Sequence, residues 1–244
     1  MLLLLLTSGL ALPQRAVAET VQVAVAANFL GTMQLLVKEF ERSSGHRARL
    51  SAGSTGKFYS QISAGAPFDV LLAADHATPT RLIAEGHAVA GSSFTYAIGQ
   101  LVLWSAQADL IDGRAAVLSG SRFRYLAVAD PKTAPYGAAA IQVLHALGLL
   151  PALQPRLVVG ESVGQAYQFV VTGNAELGFV AWSQVLAAGQ RGSFWRVPPE
   201  LHKPLLQNAV LLKAGAHNPA AAALMSFLTT PAARKLIQAH GYSL

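Results

Sequence analysis

Strand-like and helix-like segments alternate along almost the whole chain, and this alternation limits the fold more than any other feature. Chains that read this way build α/β layers, with helices covering open, largely parallel sheets. The hydrophobic pattern predicts strands over 21–26, 47–52, 69–73, 94–104, 125–129, 156–159, 177–180 and 207–213. Between them it predicts helices: one capped by Asn28 and ended by Gly45, then 57–62, 78–85, 136–147, 164–171 and 182–188. The tail, 219–241, reads as two helices separated at Thr230-Pro231. The long strand at 94–104 and the late one at 207–213 are the best candidates for two crossings between domains, which would make the first domain discontinuous.

The opening MLLLLLTSGLALPQRAVAET has the apolar run and the small-residue Ala16-Val17-Ala18 site of a secretory signal peptide, so residues 1–18 are expected to be removed. Pro13 and Arg15 interrupt the run, which is too short to cross a bilayer. The absence of cysteine excludes disulfides, thiolate chemistry and a lipid-modified cysteine, and the expected address is the periplasm. A net charge of +6 raises the question of nucleic acid, but the basic residues are scattered, so none is expected as a partner. A basic surface attracts small anions in general.

Four strand-to-helix junctions share one chemistry: Ala27-Asn28, Ser54-Thr55, Pro135-Tyr136-Gly137 and Ser162-Val163-Gly164. Each offers unpaired first-turn N–H groups at the positive end of a helix dipole, and most add a neutral polar side chain. In open α/β sheets such junctions collect at the carboxyl ends of the strands, so all four can face one crevice. Neutral donors suit a fully ionised oxyanion, although Ser, Thr and Asn are also the ordinary helix caps.

Other motifs compete. Gly160-Glu161-Ser162-Val163-Gly164 matches GxSxG, the nucleophile elbow of α/β-hydrolases, with His202, His217 or His240 in the right order for a triad. Only Glu176 and Glu200 follow as acids, and no HGGG-type segment is present. Gly53-Ser54-Thr55-Gly56-Lys57 resembles a P-loop, but its glycines are too close and Phe58 stands where a magnesium-binding hydroxyl belongs. The seven histidines show no metal-ligand spacing. Asp69 and Asp75 flank a strand and read as caps, with an acid/base pairing as the alternative.

Taken together, VAVAANF, GSTGKFYSQISAGAPFDVLLAAD, LAVADPKTAPYGAAAIQVLHALG, GESVGQAY and LGFVAWSQ resemble the periplasmic molybdate-binding proteins, the substrate-binding components of ABC-type importers. The resemblance covers essentially the whole mature chain. It implies a type II periplasmic binding protein fold, two α/β lobes joined by crossing hinge strands, with lobe I from 19–98 and 208–244 and lobe II from 99–207. It implies a tetrahedral oxyanion, molybdate with tungstate as a second cargo, held between the lobes through its oxygens by Asn28, Ser54, Tyr136 and Val163, with the Ala27 backbone beside them. Ser54 would donate through hydroxyl and amide, and Val163 through its amide alone. Some members carry a tyrosine where this chain has Ala181, and alanine at the position of Tyr136, so the resemblance implies binding by Tyr136 either through its hydroxyl or through its amide alone. The implied protein is a monomer that performs no catalysis, needs no cofactor and delivers its cargo to an inner-membrane ABC permease. The alternatives are a clamp for another oxyanion such as sulfate or a phosphonate, and a Ser162-dependent hydrolase.

Overall fold

The structure, a computed structural model, describes residues 18–244; the expected signal peptide lies outside them apart from Ala18. The chain folds as two α/β lobes, each built on a five-stranded sheet. The first sheet is formed by β1 (Thr20–Ala26), β2 (Arg47–Gly53), β3 (Val70–Leu72), β4 (Phe94–Gly99) and β10 (Leu205–Leu211), in the order β2-β1-β3-β10-β4. The second is formed by β5 (Leu101–Ser105), β6 (Leu126–Ala129), β7 (Leu157–Gly160), β8 (Leu177–Ala181) and β9 (Ser193–Arg196), in the order β7-β6-β8-β5-β9. The first lobe carries helices α1 (Leu30–Ser44), α2 (Thr55–Ser63), α3 (Ala77–Ala84), α8 (Pro219–Leu228) and α9 (Pro231–Ala239). The second carries α4 (Pro135–Ala146), α5 (Leu150–Leu153), α6 (Val163–Val171) and α7 (Trp182–Ala187).

Each sheet is covered on both faces, and the sequence pattern of β1 follows from that. Val21, Val23 and Val25 point into one core with Met33, Leu36 and Leu224, while Ala24 points into the other with Phe58 and Leu71. From Val23 to Ala26 the strand is buried on both sides and apolar at every position, while Thr20 and Gln22, nearer its start, are polar and half-buried. Full burial of each valine is worth about 1.5–3 kcal/mol, so the strands that carry the junctions are held rigidly. α1 stops where expected: Gly45 takes the left-handed φ of 73° and returns its N–H to Glu41 O.

Three expectations are corrected. The sheets are mixed rather than parallel, because β10 runs antiparallel to β3 and β4, and β5 runs antiparallel to β8 and β9. The single strand expected over 94–104 is two strands in different sheets, divided at Gln100. Asn28 does not cap α1; a short 3-10 turn over Ala27–Phe29 precedes the helix, and the Asn28 side chain bonds elsewhere.

Gly99, the last residue of β4, is closely packed. A Cβ at that residue would collide with Tyr136 Oη and lie 2.5 Å from Gln207 Nε2, so only glycine lets the second lobe approach the first crossing. The return crossing runs between β9 and β10 and contains Pro198, Pro199 and Pro204. It ends earlier than the boundary expected at 207/208, since Leu205, Leu206 and Gln207 already pair with β4 of the first sheet. Short β9 and the one-turn α5 are elements the hydrophobic pattern did not reveal.

Candidate functional site

The four junctions meet. A small, tightly closed space between the lobes, of about 10 Å³, is lined by Ala26, Ala27 and Asn28 after β1, Gly53, Ser54 and Thr55 after β2, and Ala74 after β3. The second lobe closes it with Ala134, Pro135 and Tyr136 at the start of α4, and Ser162 and Val163 at the start of α6. All five residues named from the sequence, Ala27, Asn28, Ser54, Tyr136 and Val163, therefore border one pocket. No charged side chain lines it. The first-turn amides of α2, α4 and α6 have no acceptor inside their own helices and point their dipoles at this space.

What separates this pocket from a meeting of ordinary helix caps is Ser54. It occupies the cap position of α2 in extended conformation, yet its side chain makes no capping bond. Its Oγ is buried and has no hydrogen-bond partner, and Asn28 Oδ1 is in the same state. Buried polar atoms are nearly always paired, so two orphans bordering one cavity mark a place where something else completes the bonding. Neighbouring Thr55, by contrast, is fully used: its Oγ1 accepts from Ala74 N at 2.9 Å and ties α2 to the end of β3.

The Tyr136 hydroxyl is engaged away from the pocket, which leaves its amide for a ligand. Its side chain is buried and its Oη accepts from Gln207 Nε2 at 3.2 Å, beside Gly99, so the hydroxyl reaches the hinge. Burial holds the hydroxyls of Tyr96, Tyr136 and Tyr242 above the ordinary tyrosine value, that of Tyr242 at about 12, so all three stay protonated and neutral.

The lobes touch around the pocket. Gly56 N donates to Thr133 O at 2.8 Å, Ser183 Oγ donates to Asn28 O at 3.1 Å, and Tyr242 Oη lies 2.9 Å from Ser183 Oγ. Lys57, the residue that suggests phosphate, instead pairs with Glu161 across the cleft at 2.7 Å, with both side chains exposed. Such a rim pair contributes little energy. A larger cavity of about 520 Å³ lies alongside, sharing Ala74, Ala134 and Pro135, but its lining is mostly apolar and holds no orphaned buried atom.

Residues 21–243 match the family model for bacterial extracellular solute-binding proteins. The chain belongs to this family. It is 55% identical over 231 residues to the molybdate-binding protein ModA of Azotobacter vinelandii, covering 94% of this chain and 92% of that one. To the molybdate-binding protein ModA of Rhodobacter capsulatus it is 50% identical over 239 residues, covering 98% and 93%. The solved periplasmic molybdate-binding protein of Azotobacter vinelandii superposes with a TM-score of 0.89 at 44% identity, covering 92% of this chain and 99% of that one.

The competing motifs are absorbed into the framework of this solute-binding protein. Ser162 is a true cap: its Oγ accepts from Gln165 N at 3.3 Å, while Gln165 Oε1 accepts from Glu161 N at 2.6 Å. Its backbone is extended, and among the described residues no histidine or carboxylate bonds its hydroxyl. His202 and His240 bond nearby carbonyls, and the described residues hold no cluster of His, Asp and Glu fit for a metal. Asp69 Oδ2 accepts from Gln22 N and Asn218 Nδ2. Asp75 accepts from both the N–H and the hydroxyl of Thr78. Both carboxylates therefore serve the fold as acceptors, Asp75 within its own turn and Asp69 between segments distant in sequence.

Asp75 yields a prediction. Burial raises its carboxyl above the ordinary aspartate value, outweighing the bonds from Thr78 that lower it. An acid that binds its proton more tightly folded than unfolded loses stability as pH rises from the ordinary value through the raised one, and the deficit persists above it. Asp75→Asn keeps an acceptor for the Thr78 N–H. It is expected to raise the melting temperature at neutral pH and to leave it unchanged near pH ~3, below both values. Thermal melts across this range decide; equal midpoints at neutral pH would contradict the assignment.

Proposed function

We propose that the protein captures molybdate, and tungstate as a second cargo, between its lobes in the periplasm and releases it unchanged to an inner-membrane ABC permease. The observation that carries this reading is the buried, unpartnered Ser54 hydroxyl in a pocket bordered by three helix N-termini and no charged side chain. A dianion that lacks protons accepts hydrogen bonds at every oxygen, and charge-assisted bonds of this kind are about twice as strong as neutral ones. In this reading the amides of Ala27, Tyr136 and Val163 and the Ser54 hydroxyl replace the hydration shell as the lobes close about the two crossings. The Asn28 side chain completes the set when its amide nitrogen faces the ion. High identity to two proteins named for molybdate binding supports the choice of ion. Sulfate has the same charge and shape, so its rejection rests on cavity size. The protein acts as a monomer and does no chemistry on its cargo.

Calorimetric titration of ligand-free protein with molybdate, tungstate, sulfate and phosphate tests the proposal. Molybdate and tungstate are expected to bind tightly and sulfate weakly; tight sulfate binding without molybdate heat would overturn it. In the same assay Ser162→Ala is expected to cost about 1 kcal/mol of stability as a lost cap while leaving molybdate affinity within about threefold. Ester turnover that disappears with Ser162 would favour the hydrolase instead.

A further inference from the structure

Gln207 is wholly buried in β10, whereas the neighbouring Asn208 is half-buried, and the Gln207 carboxamide touches pocket residues from both lobes. Its Oε1 accepts from Asn28 Nδ2 at 2.9 Å and from Tyr96 Oη at 3.1 Å, and its Nε2 donates to Tyr136 Oη at 3.2 Å. Asn28 Nδ2 also donates to Tyr242 Oη at 3.2 Å, which leaves Oδ1 as the side-chain atom without a partner. An unpaired acceptor bordering the pocket repels an ion made only of lone pairs, and it welcomes an anion that still carries a proton. With Oδ1 toward it the pocket holds an acceptor, whereas a clamp for a fully ionised oxyanion needs donors alone.

The same heavy-atom positions admit a second pattern. If both carboxamides make a half-turn, Asn28 Oδ1 accepts from Gln207 Nε2 and Gln207 Oε1 accepts from Tyr136 Oη. Gln207 Nε2 then gives its other proton to Tyr96 Oη, which donates in turn to Ala73 O at 3.1 Å. Asn28 Nδ2 now faces the pocket as a donor. Tyr242 keeps its 2.7 Å bond to Asn28 O, and the loss is confined to the longer contact between Tyr242 and the Asn28 side chain. Neither residue can turn alone, because Gln207 and Asn28 would then meet oxygen to oxygen or nitrogen to nitrogen at 2.9 Å.

We infer that Gln207 is a positioning residue for selectivity, coupled to Asn28 so that the orientation of its carboxamide decides whether Asn28 presents a donor or an acceptor to the pocket. This rests on the reading of the pocket as an oxyanion clamp and deepens it. The coupling extends to Tyr136, whose hydroxyl accepts in one pattern and donates in the other, so that both lobes register the same turn.

Gln207→Glu tests it. A carboxylate at this place can only accept, and three facing donors (Asn28 Nδ2, Tyr96 Oη and Tyr136 Oη) favour its ionised form. It would hold Asn28 Oδ1 toward the pocket permanently. At about pH 8, where inorganic phosphate is a protonated dianion, molybdate binding by calorimetry is expected to weaken at least ~30-fold, and the molybdate-to-phosphate affinity ratio, by competition, to fall at least ~10-fold. Loss of packing, or repulsion by the new charge, weakens both dianions alike; an unchanged ratio would overturn the proposal. A second measurement uses the wild-type protein: the side-chain amide resonances of Asn28 and Gln207 are expected to shift together on titration with molybdate. Movement of the Asn28 pair alone would overturn it as well. Absence of molybdate binding by the wild-type protein would instead remove the oxyanion reading itself.

Discussion

Gly56→Val is expected to abolish closure and lower molybdate affinity at least ~100-fold, equivalent to about 2.7 kcal/mol, while both lobes stay folded. Gly56 lies in the first turn of α2, and its N–H donates to Thr133 O of the other lobe at 2.8 Å. A Cβ at this residue would lie 2.9 Å from both Thr133 Cα and Thr133 O. Those are backbone atoms, so no rotamer relieves the contact and the lobes must part beside the pocket. Far-ultraviolet circular dichroism and the melting temperature without ligand should change little. Small-angle scattering should show a radius that no longer contracts when molybdate is added, and Gly56→Ala should give a smaller effect in the same direction. Contraction and tight binding by the valine variant would show that the approach of these two loops is dispensable.

Ser54→Ala is expected to weaken binding without lowering stability. The Ser54 hydroxyl makes no bond within the protein and caps nothing, so alanine removes none, and with the cleft open and hydrated the ligand-free variant should be as stable as the parent. With ligand the same hydroxyl would donate to a charged oxygen, a bond worth about 1.5–3 kcal/mol, so affinity should fall roughly 10- to 150-fold. Melting curves with and without molybdate, together with calorimetry, separate the two effects. A variant that is less stable without ligand, or that binds as tightly as the parent, would remove Ser54 from the site. A structural cap cannot produce this combination, because losing a cap destabilises the protein whether or not ligand is present.

The residues that were readable from the sequence are those whose chemistry is local. Ser54, Tyr136 and Val163 stand at junctions between an apolar strand and a helix, and a parallel arrangement sends such junctions to one side of a sheet. Gly45 announced the end of α1 through its need for positive φ, and Pro231 announced the start of α9. Asn28 was placed correctly at a junction but given the wrong bond. Capping was the expectation for an asparagine before a helix, and its true partners, Gln207 and Tyr242, lie 179 and 214 residues away. Gln207 carried one faint signal, a polar side chain within LLQNAVLL, and nothing in the sequence says which face it takes.

The break at Gln100 shows the same limit. The segment FTYAIGQLVLWS is apolar and β-forming from end to end, so it reads as one strand. Only the tertiary structure shows that the chain leaves the first sheet after Gly99, against which Tyr136 and Gln207 pack. The alternation of strands and helices, the junctions and the neutral character of the site were determined by the sequence alone, because period, turn chemistry and capping act within a few residues. Which junctions share a pocket, which hydroxyl is left unpaired and which amide steers Asn28 were decided by the tertiary structure. Those properties depend on distances between segments more than a hundred residues apart, and burial alone turns an ordinary serine or glutamine into a group that must find a partner.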